Sequence, residues 1–379
     1  FFPFLFFPLP VEVKKLSLSP NEKDSKSSAF HMHNLKKIKR SVDPAKGKRY
    51  LYALLMISAM VGLSEATGEK EIIFPEMAAL TTGMWIVDKR VWQISKFQFI
   101  PLMTLGAIAG ICLVRYSPFP LVINLFLAFV FAAFCLVISR TTLIPLISAC
   151  MLPVLLKTES WIYPLAVCLM SFIILSGQFL MEKTNLRQKI VYTPTTRIGK
   201  QELKQWGRIG GSLLLFLSGF VYSSHLYIIA PPLIVTYVEF ANSKAGFRNR
   251  PVQVFLVLGI AALWGTVLQG ILHHYLGLPE SLVALTIVSG LFCLFIGINK
   301  LFAPASAIAL LPLIIPQNDL WIFPLQVCIG AALLITIAML LFLKCYKWPK
   351  SHLIVCLVPD FLRNSSRRPT HQSDKQINP

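Results

Sequence analysis

Apolar and polar positions along the chain are sorted in long blocks rather than residue by residue. Apolar runs near bilayer-spanning length recur from residue 50 to residue 343, separated by short polar turns. Such blocks predict helices, because a β-barrel would need alternating polarity along each strand. The runs fall at 50–63, 72–87, 97–114, 121–138, 142–156 and 161–180, then at 211–222, from 228 onward, and at 252–273, 282–298, 301–315 and 321–343. Several are short. Residues 72–87 would reach roughly 24 Å as a helix against a hydrocarbon core of about 30 Å, so this run is expected to be a broken or partial helix, or to span a thinned bilayer.

One block is written twice. Arg140-Thr-Thr-Leu-Ile-Pro145 leads through Pro153 to Trp161-Ile-Tyr-Pro164-Leu-Ala-Val-Cys168. Asn299-Lys300-Leu-Phe-Ala-Pro304 leads through Pro312 to Trp321-Ile-Phe-Pro324-Leu-Gln-Val-Cys328. Ile72-Ile-Phe-Pro75 likewise returns as Ile228-Ile-Ala-Pro231. The expected fold class is therefore an all-α integral membrane protein of two tandem parallel repeats. Each repeat has about six membrane segments, with short proline-interrupted segments in matching positions. An even number of segments per copy gives both copies the same orientation, about an axis along the membrane normal. Residues 50–181 form the first repeat and 209–343 the second, joined by a basic linker at 182–208. Tails at 1–49 and 344–379 flank them. Residues 1–31 precede the first Met, Met32, and are expected to be non-native upstream sequence.

Composition agrees with the pattern: hydrophobic residues are 55% and mean hydropathy is +0.65. The net charge of +19 sits mainly in tails and loops, which points to positive-inside topology and away from nucleic acid. Basic residues before residue 50 and acidic ones at Glu65, Glu69 and Glu71 place the N-terminus in the cytoplasm, and the count returns the C-terminus there too. If the short segments were re-entrant, the loop with Lys89, Arg90 and Lys96 would lie outside instead. Trp85, Trp161 and Trp321 fall near span ends, as interfacial anchors do. The eight cysteines are scattered without metal spacing and read as packing residues, as do the glycines at 106, 110, 259 and 265.

No catalytic motif is present, no close Asp/Glu pair lies within the spans, and neither a cofactor nor a metal site is expected. His273-His274 reads as an interfacial turn or a proton relay. The junction before each short proline segment is the candidate substrate site: Arg140, Thr141 and Thr142 in the first copy, Asn299 and Lys300 in the second. A cation, hydroxyls and a helix N-terminus suit an anion. The plainer alternative is that both cations mark cytoplasmic ends and reach to lipid phosphate. Glu76 is the candidate proton-coupling residue, or else an interfacial acid at a helix N-terminus.

The block from Lys300 to Pro312 with Trp321-Ile-Phe-Pro324-Leu resembles the HPP family of membrane proteins, although neither copy holds a His-Pro-Pro element. Some members of that family are associated with nitrite transport, so the resemblance implies a small-anion permease of the cell membrane. Phe74-Pro75-Glu76-Met-Ala-Ala-Leu-Thr-Thr-Gly83 and the following span with Gly106 and Gly110 resemble the opening of aromatic-acid exporters, without the soluble region usual there. The expected function is secondary transport of a small anionic solute, not enzymatic turnover. Export of organic acids, or service as a membrane scaffold or partner subunit, are the alternatives. The expected partners are the bilayer and the solute, with a homo-oligomer left open.

Overall fold

The computed structural model describes residues 44–88, 91–189, 191–193, 199–223, 225–242, 250–298 and 300–345. Both outer tails and the basic stretch at 243–249 lie outside these. The chain divides into two compact units, 1–47 and 48–379. The first is described only from Pro44, where a helix begins; the second holds the rest of the architecture.

Every regular element among the described residues is helical. Among the described residues, seven helices are long and apolar enough to cross a membrane. They are α1 (Pro44–Thr67), α3 (Lys96–Tyr116), α4 (Leu121–Ser139), α6 (Ile162–Lys183), α9 (Pro251–Leu268, wound on as a wider π-type turn over Gln269–Tyr275), α10 (Glu280–Ile298) and α13 (Phe323–Cys345). The other expected segments appear as α2 (Glu76–Thr81, continuing as a π-type turn to Ile86), α5 (Pro145–Leu156), α7 (Lys200–Phe220), α8 (Pro231–Asn242) and α11 (Ala303–Leu310). A last short helix, α12 (Gln317–Leu320), precedes α13. The helix α7 begins eleven residues before the expected span at 211, and its first turns carry Lys200, Glu202, Lys204 and Arg208. The chain is thus a multi-pass membrane protein by the length and composition of its helices.

The short second segment runs the whole length of α1. Ser64 Oγ donates to Glu69 O at 2.8 Å, Phe74 N donates to Met60 Sδ at 3.4 Å, and Arg49 Nη1 donates to Trp85 O at 3.2 Å. Arg49 also pairs with Asp88 at 2.6 Å. Contacts at Ser64, Met60 and Arg49 mean that residues 69–88 return antiparallel beside α1. They do so in two pieces, a 3-10 turn at Lys70–Ile72 and then α2 with its π-type continuation, because Pro75 has no N–H with which to join them into one helix. The segment therefore does not turn back halfway along α1.

Short and long helices occupy different layers. All residues of α2, α5 and α11 except Leu156 at the end of α5 are buried, as is α8 through Ala241. Helix α11 packs on α2 and α8, and α5 packs on α8 and α2. The long helices wrap this centre: α3 packs on α5 and α6, while α9 packs on α11 and α13. Helices α4 and α10 lie against α5 and α11. Close backbone approach seats the outer layer on the inner. A Cβ at Gly110 would collide with the Cys150 carbonyl oxygen of α5, and one at Gly265 would collide with that of Ala309 in α11. Only glycine fits at such a seam. A Cβ at Gly259 would meet Cys328 Sγ at 3.1 Å, consistent with a packing role for that cysteine.

One anchor differs from expectation. Trp161 and Trp321 are exposed near helix ends, but Trp85 is buried against Gly177 with its indole N–H given to Ile174 O at 2.9 Å. The sequence puts Trp85 near a segment end. The extra π-type turn there folds it inward instead.

Candidate functional site

The short helices leave a small cavity where they meet. Its volume is about 10 Å³, and Glu76, Trp92, Pro145, Pro232, Glu239 and Pro304 line it. Room of this order holds about one water. Each proline lies at the start of its helix: Pro145 opens α5, Pro232 is second in α8 and Pro304 second in α11. Proline suits that position because its fixed φ matches the helix and its missing N–H would have had no partner. The starts of α5, α8 and α11 thus come to one place, and the dipole at each start favours negative charge.

Two carboxyl groups share the cavity. Glu76, at the head of α2, is 2% exposed. Its Oε1 accepts a hydrogen bond from Ser148 Oγ of α5, and its Oε2 has no partner among the described residues. Glu239 of α8 is also buried and accepts from Trp92 Nε1 at 3.0 Å. Nearby, Thr82 Oγ1 and Ser306 Oγ lie 3.2 Å apart and tie the turn after α2 to α11. An acid in such surroundings is costly as a bare charge, so it needs donors, a counter-charge or a proton. No close acidic pair stands within the spans along the chain; folding brings these two acids to one cavity.

The residues predicted at the two cationic junctions lie elsewhere. Arg140 is exposed at the end of α4, in a left-handed conformation with φ 50° that caps the helix. Thr141 Oγ1 lies 3.2 Å from Ser139 Oγ. Thr142 is paired with Gln93: its hydroxyl accepts from Gln93 N at 2.7 Å, and its own N–H donates to Gln93 O at 3.1 Å. Lys300 is exposed and donates to Gln253 Oε1 at 3.1 Å. Asn299 lies outside the described residues. None of the four described residues is among those lining the central cavity. Only Glu76 joins the prediction to the cavity.

Further charged groups mark the two ends of the bundle. At the end holding Arg49 and Asp88, Lys96 Nζ pairs with the buried Glu182 at 2.5 Å, and Gln178 Nε2 donates to the same carboxylate at 2.8 Å. A second cavity of about 30 Å³ opens there, lined by Gly83, Trp92, Lys96, Gln178 and Arg187 among others. At the opposite end Glu280 meets Lys70 at 3.3 Å and His273 at 3.4 Å, and Glu65 accepts from Ser281 Oγ at 3.1 Å. His273 therefore belongs to a charged cluster that ties α1, α9 and α10 together.

Sequence reasoning missed Glu239, Ser148, Ser306 and Trp92. Glu239 alone carried a usable signal, as a lone acid within the apolar run 228–241. Among the described residues, no three His, Cys, Asp or Glu side chains gather as a metal site would require. No protein-family model matches the chain, and no curated protein or solved structure resembles it significantly.

Proposed function

We propose that this chain is a secondary permease that moves a small, nitrite-like anion together with a proton across the cell membrane, through the cavity between Glu76 and Glu239. The observation that carries the reading is the convergence of three helix starts on a buried cavity that also holds two acids, one with an unpartnered oxygen. Helix starts and hydroxyls attract an anion. Protonated carboxyls can donate to it. An anion and a proton crossing together carry no net charge, which removes most of the cost of moving a lone ion through a low-dielectric interior. A cavity with room for about one water must widen to pass any solute, and it has to widen least for a small inorganic anion.

The two-repeat layout belongs to the same proposal. Support comes from matched contacts: α3 on α5 and α6 corresponds to α9 on α11 and α13, and α5 on α8 corresponds to α11 on α2. Gly110 over Cys150 and Pro153 likewise corresponds to Gly265 over Ala309 and Pro312. The doubled sequence block and the resemblance of its second copy to the HPP family point the same way. In this arrangement both termini face the cytoplasm. The end that holds Arg49, Asp88 and Lys96 is then the inner one, as positive-inside bias requires.

The test is uptake of nitrite, nitrate and formate into proteoliposomes, corrected for protein-free vesicles. Glu76→Gln and Glu239→Gln should each lower uptake by about a hundred-fold in folded protein, as loss of a buried proton carrier implies. Arg140→Gln and Lys300→Gln should lower it by less than about three-fold, as expected of exposed cations that attract but do not bind the solute. Loss of uptake only in the latter pair would move the site to the cationic junctions. No uptake of any anion by the native chain, with a copurifying protein, would favour a scaffold role.

A further inference from the structure

Trp92 is the one residue shared by the linings of the central cavity and the larger one at the Arg49 end. It sits in the turn before α3 and is 4% exposed. One side of its environment is the larger cavity, with Lys96 and Arg187 in the wall. The other is the central cavity, with both acids. Its indole N–H is given to Glu239, and the far edge of its ring lies over Gly83: a Cβ there would be 2.5 Å from Cζ3 and 2.6 Å from Cη2. Glycine at 83 therefore makes the room that the ring occupies.

We propose that Trp92 is the gate on the inner side of the anion path, closing a basic vestibule off from the central cavity and latched by Glu239. This rests on the permease reading for what passes, but the partition itself can be tested without transport. The vestibule holds Lys96 and Arg187 in its wall, Lys96 being paired with Glu182, so a small anion meets cationic donors there. Passage requires the indole to leave Glu239. A proton or an anion arriving at that carboxyl changes its demand for the Trp92 donor, so the latch responds to the species that must cross. Opening needs only a swing of one side chain in a turn, away from the space that Gly83 leaves for the ring.

The gate is tested by the rate at which the anionic reagent 2-sulfonatoethyl methanethiosulfonate, added to purified full-length protein in detergent, reacts at position 307 of an Ala307→Cys variant. Ala307 lines the central cavity and is 1% exposed. Peptide mass spectrometry separates that position from the native cysteines. With Trp92 intact the reaction should be slow. Adding Trp92→Ala should raise the rate by about ten-fold or more, and Trp92→Phe, which keeps a ring but loses the latch, by a smaller factor. Gly83→Ala should also raise it, by pushing the ring aside. If Trp92→Ala does not fold, the other two variants carry the test. Unchanged labelling in the folded variants overturns the gate. Faster labelling without anion uptake by the native chain would keep the partition and remove the permease reading, so the two ideas fail separately.

Discussion

The inner and outer layers of this molecule use the same apolar residues for opposite ends. Helices α2, α5, α8 and α11 bury nearly every side chain and are too short or too broken to cross a bilayer alone. The long helices leave large apolar side chains such as Phe134, Leu165 and Phe172 on the outside. In water such a surface would aggregate; in lipid it costs nothing, because the tails are as apolar as leucine. Polarity follows the reverse rule. The inner layer carries Glu76, Ser148, Glu239 and Ser306, where the starts of broken helices and neighbouring side chains can meet them.

The seam between the layers is where that contrast breaks most easily. Gly265→Val should destabilise the protein by about 3 kcal/mol or more, since its Cβ would meet the Ala309 carbonyl and force α9 away from α11. Thermal unfolding in detergent measures it, and an unchanged midpoint would mean the layers are not in contact there. At the end of the bundle that holds Arg49 and Asp88, Lys96→Met leaves Glu182 buried with Gln178 as its remaining partner. The expected cost is about 2 kcal/mol, less than for a fully buried pair because Lys96 is partly exposed. Leu165→Ala on the lipid face should cost under about 0.5 kcal/mol in the same assay. A loss as large as that of Gly265→Val would show that the outer face is covered by protein.

Much of the layering was legible in the sequence because its causes are local. Apolar runs, Pro75, Pro145 and Pro304 at the breaks, and Gly110 and Gly265 at the seam act within a turn or two of where they stand. The site was less legible because its parts lie far apart in the chain: Trp92 and Glu239 are 147 residues apart, and Glu76 and Ser148 are 72 apart. Hydropathy ranks Glu76 and Glu239 only as exceptions to apolar runs, and nothing local says that they share a cavity. Arg140 and Lys300 drew attention as cations beside prolines. Their side chains sit at the exposed ends of the preceding segments, while the helix starts they precede point inward.

Under the proposed function, the cavity between the short helices carries an anion with a proton. Nitrate is the most direct probe, because it has no neutral acid form near pH 7 with which to leak through lipid. Proteoliposomes loaded with a pH-sensitive dye and given an inward nitrate gradient should acidify inside when they hold the native chain, and should not when they hold folded Glu76→Gln. Nitrate entry without acidification, or equal acidification by both proteins, would contradict the account.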